Sequence, residues 1–226
     1  MIDFIKKTNF VFCIFLTLAT IVSCGGSADN SNNNNNDDSD AEPVLYNLGI
    51  DFDDFDFASL GERNPLIAFG DELTATQDNP TFEYYLTSDA TIISPVNGTV
   101  TEITEREDSS DYSIVIIPTD ATSWWIILDH VLNVAVAEGD VVSAGDSLGT
   151  AGTWEDAIGR TELQVLNNDD GLSYCPTGLL DSSVETEEQN NITNLIQTWE
   201  EYKSDTSLYD DDSMSPEGCL TATVQG

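Results

Sequence analysis

The chain has 226 residues, with 42 aspartates and glutamates against 6 lysines and arginines, a formal net charge of −36. So few cations cannot build a basic patch, which excludes nucleic-acid binding. An anionic lipid surface repels such a chain as well, so charge cannot be what brings it to a membrane.

At the N-terminus, Lys6 and Lys7 precede an apolar run from Phe10 to Val22, broken only by Thr17 and Thr20. The run is shorter than the roughly 20 residues that cross a hydrocarbon core. It has the length of a signal-peptide core. Ile21-Val22-Ser23-Cys24 ends it and resembles a bacterial lipobox. That resemblance implies cleavage after residue 23, a diacylglycerol on Cys24, and an exported protein lipid-anchored in the cell envelope, at the outer membrane. Removing residues 1–23 takes away Lys6, Lys7 and Asp3 and leaves 4 basic residues against 41 acidic ones. Residues 24–42 are asparagine, serine and aspartate with almost nothing apolar, too little to offset the entropy of ordering. They read as a disordered polar tether.

Residues 43–78 form an N-terminal lead-in of strand or loop. Within it, Asp51-Phe52-Asp53-Asp54-Phe55-Asp56-Phe57 keeps no single period. Its acids suggest calcium or another hard cation, but the glycine and terminal glutamate of an EF-hand are missing. From Thr91 to Leu166 the pattern is that of strands. Ile92-Ile93, Thr99 to Ile103, Asp111 to Ile117, Ser123 to Val131, Val141-Val142 and Leu163 to Leu166 are β-branched or aromatic. Turn residues recur often enough to expect a mainly β, compact antiparallel sandwich or barrel. Trp124 and Trp125 are adjacent, so one faces the core and the other the opposite side.

Residues 171–226 change period. Ile192, Leu195, Ile196, Trp199 and Tyr202 are spaced by three and four, predicting an amphipathic C-terminal helix. Ser182 and Glu185 are placed to be its capping box. Cys13 falls in the signal and Cys24 at the lipid site. Cys175 and Cys219 remain, and in an oxidising compartment they are most simply a disulfide. It would fasten this C-terminal extension over the sheet.

Val136-Ala137-Glu138-Gly139-Asp140-Val141-Val142-Ser143-Ala144-Gly145-Asp146-Ser147-Leu148-Gly149 places two Gly-Asp turns six residues apart. The segment resembles two groups, the biotinyl and lipoyl carrier domains and the lysostaphin/LytM-type metallopeptidases. Carriers need a lysine at a hairpin tip, and none lies between Lys7 and Lys203. Leu128-Asp129-His130-Val131 resembles the peptidases' Tyr-x-His-Leu segment, and Pro95-Val96-Asn97-Gly98-Thr99-Val100 their Ala-x-x-Gly-x-Val turn. Gly159 to Val165 sits where they carry a last strand with His-x-His. The resemblance covers residues 79–170 and implies a lysostaphin/LytM-type β domain.

What the resemblance implies for chemistry is a degenerate site. The family holds zinc through His-x-x-x-Asp and the second histidine of His-x-His. Asn79 and Glu83 stand at the first motif, and Glu162 and Gln164 at the second. Of these functional positions only His130 keeps its identity. Catalytic zinc wants imidazole or anionic ligands that lower the pKa of bound water to about 7. Neutral amide oxygens suit hard cations at best. A zinc peptidase is therefore not expected, and no cofactor is.

Asn79, Glu83, His130, Glu162 and Gln164 are expected to converge as a polar groove. The first reading of that groove is a non-catalytic cleft for a cell-wall glycan, a peptide or an envelope protein. The second is a divergent hydrolase using Glu83 and Glu162, with His130, or a hard metal. A third is a purely structural surface lipoprotein.

Overall fold

In the computed structural model, the described residues are 41–106, 109–154 and 158–226, and all lie in one compact unit. The expected signal peptide, Cys24 and nearly all of the tether lie outside them.

The lead-in holds a 3-10 turn at Phe52–Asp54 and a single-turn helix α1 (Phe57–Leu60), followed by short strands β1 (Leu66–Ile67), β2 (Glu72–Thr74) and β3 (Gln77–Asp78). Two of its acids are explained locally. Asp51 and Asp56 each accept a hydrogen bond from the backbone N–H two residues on and so cap the two turns. The phenylalanines pack against the core.

The main body is strands β4 (Phe82–Thr87), β5 (Thr91–Ile93), β6 (Gly98–Glu105), β7 (Tyr112–Pro118), β8 (Trp124–Leu132), β9 (Val141–Val142), β10 (Ser147–Thr153), β11 (Ile158–Asn167) and β12 (Leu172–Tyr174). Helix α2 (Glu185–Lys203) and strand β13 (Thr223–Gln225) complete the chain. Eleven strands make one antiparallel sheet, and β2 and β3 make a separate hairpin. The sheet does not close into a barrel, so of the two expected architectures the closed barrel is corrected to an open sheet.

Strand β11 is the hub. One of its edges pairs first with β10 and then with β8; the other pairs with β4 and then β12. Burial alternates along β7, β8 and β11, so one face of each is core and the other half-exposed. Phe82, Tyr84, Ile114, Ile116, Ile126, Leu128, Leu163 and Val165 fill the core side. Trp124 is on that side and lies 4.7 Å from the Tyr174 ring, whereas Trp125 is half-buried on the other face.

The two Gly-Asp turns flank β9. Gly139 and Gly145 take positive φ values of 91° and 89°, which glycine adopts at no steric cost. The carboxylates of Asp140 and Asp146 close the turns by accepting from the N–H of Ala137 and Ser143. Val142 is buried between them, and Val141 points out at 81% exposure.

Strand β4 carries no burial alternation, because both its faces are covered. One expectation is corrected. The capping box does not form. Val184 is the N-cap with no side-chain bond, while Asp181 takes the hydroxyl and N–H of Ser183 and its carbonyl accepts from Glu185. The apolar stripe of α2 is buried at Ile192, Leu195, Ile196 and Trp199 but not at Tyr202, which lies against Trp199 at 5.7 Å.

The extension from residue 171 is continuous with the sheet, because β12 pairs with both β11 and β13. Cys175 and Cys219 form the disulfide, and both are buried. Bridging positions 44 apart removes loop entropy from the unfolded chain. Replacing both cysteines by serine is expected to lower stability by about 3 kcal/mol, read as a lower urea midpoint with an unchanged far-ultraviolet spectrum.

Candidate functional site

Three carboxylates stand side by side on the half-exposed face of the sheet. Glu162 on β11 is in register with Glu83 on β4 on one side and Asp129 on β8 on the other. Like charges directly opposite one another repel, so the row stands only if cations are set among it. Arg160, two residues from Glu162 on the same face, supplies one. Its Nε lies 2.8 Å from Glu83 Oε1, and its Nη2 pairs with Glu162 Oε1. Arg106, at the end of β6, pairs with Asp129. The third arginine of the chain, Arg63, lays its guanidinium over Tyr85, 4.6 Å from the ring centre. All three arginines thus gather at this face of an otherwise acidic chain.

His130 is brought in by a bulge. Between Tyr112↔Val131 and Ile114↔Leu128 strand β8 gains one residue, and His130 takes a φ of 58°. A bulge re-aims the side chain that a regular strand would have pointed elsewhere. Its Nδ1 meets Asp111 Oδ2 at 2.8 Å, and its Nε2 lies 3.4 Å from Glu162 Oε1. Asp111 is itself held by the Ser109 hydroxyl at 2.6 Å. Gly152 makes room for this contact. A Cβ there would stand 2.8 Å from Asp111 Oδ2 and 2.9 Å from the His130 carbonyl.

Over the cluster sits Trp154, 42% exposed, its ring 4.6 Å from the Arg160 guanidinium and 6.1 Å from Tyr85. The Tyr85 hydroxyl donates to Glu83. The cluster is tight: side-chain exposure is 7% for Glu83, 6% for His130 and 17% for both Arg160 and Glu162.

The titration behaviour follows from these contacts. Burial disfavours charge on His130, but the bonds to Glu162 and Asp111 outweigh it and leave the pKa raised. With a carboxylate at each ring nitrogen, both nitrogens donate, which is the imidazolium form. Burial would raise Glu162, but His130 and Arg160 hold its carboxyl below the usual range. Burial also works against the Arg160 charge and is overcome by Glu162 and Glu83. Tyr85 is pushed far above its ordinary value by burial and by its bond to Glu83.

Of the residues singled out from sequence, the structure brings Glu83, His130 and Glu162 together. Asn79 stands apart. It is buried, and its amide donates to the carbonyls of Ala68 and Thr81, at 3.1 and 2.9 Å, while its oxygen accepts from the Thr81 hydroxyl. It is a turn-closing residue, which corrects the expectation that it lines a groove. Gln164 shares the face with Glu162 but donates to Ser173 at 2.8 Å, outside the ionic cluster. Sequence reading missed Arg160, Asp111, Arg106 and Asp129. Arg160 lay two residues from Glu162, the spacing that puts both on one face of a strand. Asp111 carried no such signal.

The cluster's chemistry is that of a closed circuit. The carboxylates that a metal would need are occupied by guanidinium and imidazolium. Among the described residues, no group of three or more His, Cys, Asp or Glu is arranged to hold a metal ion.

No family model and no curated protein matches the sequence. Solved structures do. The chain is 17% identical to lysostaphin over 46% of its length and 45% of that chain, with a TM-score of 0.41. Its structural neighbours are lysostaphin-type peptidase domains. The catalytic domain of the antimicrobial peptidase lysostaphin from Staphylococcus simulans matches at 17% identity, over 45% of this chain and 78% of that one, with a TM-score of 0.40. A chain of the SpoIIQ–SpoIIIAH pore-forming complex matches at 15% identity, over 66% of this chain and 98% of that one, with a TM-score of 0.45. The chain thus spans under half of the whole lysostaphin chain. At these identities and TM-scores the likeness carries no argument about chemistry, which rests on the cluster alone.

Removing one partner of a buried ion pair strands the other. Arg160→Met is expected to cost about 3 kcal/mol, and Glu83→Gln in the same chain to recover part of it, as measured by urea unfolding in a double-variant cycle.

The pH dependence has a definite sign. The raised His130 contributes stability that is complete below its unfolded value of about 6.5 and is lost as pH rises through the folded value. The lowered Glu162 contributes above about 4.5 and is lost as pH falls through its folded value. Glu188, pushed up to about 7 by burial, contributes at low pH and loses that between 4.5 and 7. Urea midpoints are therefore expected to be highest near pH 5 and to fall toward pH 8. His130→Asn should flatten the fall above pH 6.5, and Glu188→Gln the fall below 7.

Proposed function

We propose that this chain is a cell-envelope lipoprotein, anchored through Cys24, whose peptidase-like β domain binds rather than cuts. The observation that carries the reading is the Arg160 guanidinium lodged between Glu83 and Glu162. A guanidinium stays protonated at any physiological pH and offers no lone pair. It fills the role of a cation without the Lewis acidity or activated water that hydrolysis at a metal centre needs.

The same contacts weigh against a metal-free hydrolase. A carboxylate pair works as acid and base when the two environments drive their pKa values apart, with one raised toward neutrality. Glu162 is held low instead, so it cannot keep a proton to donate. His130, paired at both nitrogens, has no free lone pair to act as a base. The Thr161 hydroxyl beside them is committed to the Asp129 carbonyl.

What remains is a rigid polar face suited to recognition. From Trp154 and Arg160 at one end it runs through Glu162 and Gln164 to Trp125 at the other. Aromatic and amide groups on a rigid sheet suit a cell-wall glycan or peptide, or a partner protein in the envelope. The chain's net charge of −36 repels anionic lipid, so the acyl chain does the anchoring.

The full chain is expected to co-sediment with purified cell-wall sacculi and to release no soluble fragments, with or without added zinc. Fragment release that disappears in Glu162→Gln would overturn the non-catalytic reading. Cys24→Ala is expected to abolish labelling by radioactive palmitate, and labelling that persists would remove the anchor.

A further inference from the structure

Strand β13 gives the main sheet an open edge that carries no charge. Among the described residues it pairs with β12 alone, and the β2–β3 hairpin forms a sheet of its own. In an antiparallel ladder the N–H and C=O of one residue point to the partner strand, and those of the next point away. The Cys175 N–H donates to the Ala222 carbonyl and the Gly226 N–H to the Gly171 carbonyl, so residues 222, 224 and 226 face β12. The backbone groups of Thr223 and Gln225 therefore face outward. Of these, the Thr223 carbonyl accepts from the Thr221 hydroxyl at 3.3 Å.

What faces that edge is a second one. A groove of about 420 Å³ separates Thr223, Val224 and Gln225 on one side from Thr76, Gln77 and Asp78 on the other. The two walls diverge from a common root, because a Cβ at Gly70, just before the hairpin, would stand 3.5 Å from the Leu220 Cβ and 3.3 Å from the Thr221 nitrogen. Every residue of β2 and β3 is exposed. Natural sheets guard such edges with charged side chains or proline. This chain has 42 acidic residues to draw on, yet neither Leu73 to Gln77 nor Leu220 to Gly226 contains a charge or a proline. Leu73 and Leu220 are instead exposed apolar side chains. Two unguarded edges on one groove, in so charged a chain, mark a place for a strand.

The edges select the occupant. Alternating N–H and C=O groups are matched along their length by another strand's backbone. An uncharged wall takes an uncharged stretch of that strand. Asp78 in the groove and the net charge of −36 repel an acidic segment and favour cations on either side of the stretch. We propose that the groove between β13 and β3 is a docking site for an extended segment of a partner protein, uncharged in its middle and basic at its ends, which adds to β13 as a further strand. The groove shares no residue with the ionic cluster, so the proposal stands whether or not that face binds the cell wall.

Titration of the isotope-labelled full chain with the end-capped peptide Lys-Thr-Val-Thr-Val-Thr-Lys, followed by amide resonances, tests this. The resonances of Thr223 to Gln225 are expected to shift, with a dissociation constant below about 1 mM. Methylating alternate peptide nitrogens removes donors without altering the protein, and is expected to weaken binding about tenfold. Replacing both lysines by glutamate is expected to do the same. Gln225→Pro removes an outward N–H while leaving the β12 ladder intact, as prolines on edge strands do. It is expected to weaken binding about tenfold, whereas Gln225→Ala keeps both the N–H and the binding. Unmoved resonances at Thr223 to Gln225 would overturn the proposal, as would equal binding of the methylated peptide. Dimerisation of the chain that Gln225→Pro abolishes, with no peptide bound, would overturn it in favour of a second copy.

Discussion

The described fold turns on one electrostatic requirement: three carboxylates in adjacent strands must be neutralised where water is largely excluded. Glu83, Glu162 and Asp129 stand in register across β4, β11 and β8. Arg160 spans the first two and Arg106 takes the third. Planar guanidinium suits this task better than lysine, because it presents several donors in a fixed fork and is more weakly hydrated. That the whole arginine content of the chain is spent at this face is the clearest sign that the pairing is specific.

The pairing also explains the neighbourhood. Strand β11 carries both Arg160 and Glu162, and it pairs with four other strands, so the cation and the central carboxylate are fixed by the best-braced element of the sheet. The bulge at His130 spends a positive φ on a non-glycine residue, which costs free energy unless the surroundings over-determine it. Here Asp111 and Glu162 hold the ring from both sides. A site built this way is densely paired, though Asp129 Oδ1 and Arg106 Nε are buried in it without a hydrogen-bond partner.

Strand β4 ties this face to the core beneath it. Its odd-numbered residues Glu83 and Tyr85 belong to the ionic cluster, and its even-numbered residues Phe82, Tyr84 and Leu86 to the core. The N-terminal turns, capped by Asp51 and Asp56, lay Phe52, Phe55 and Phe57 against that core beside α2. In this segment rich in aspartate and phenylalanine, two acids cap turns and the rings pack.

Some of this was legible in the sequence, because local chemistry fixes it. β-Branched and aromatic runs marked β7, β8 and the end of β11, spacing by three and four marked α2, and the paired Gly-Asp turns set the bends around Val142. Two cysteines remaining after the expected export signal implied the Cys175–Cys219 bridge. The tertiary structure decided the rest, since it depends on which strands become neighbours. No local pattern says that β11 will lie between β4 and β8, so none could say that Arg160 would bridge Glu83 and Glu162, or that Asp111 would reach His130. Burial on both faces erased the alternation of β4, and backbone carbonyls claimed Asn79. Charge pairing and burial act between residues distant along the chain, and only the folded sheet sets those distances.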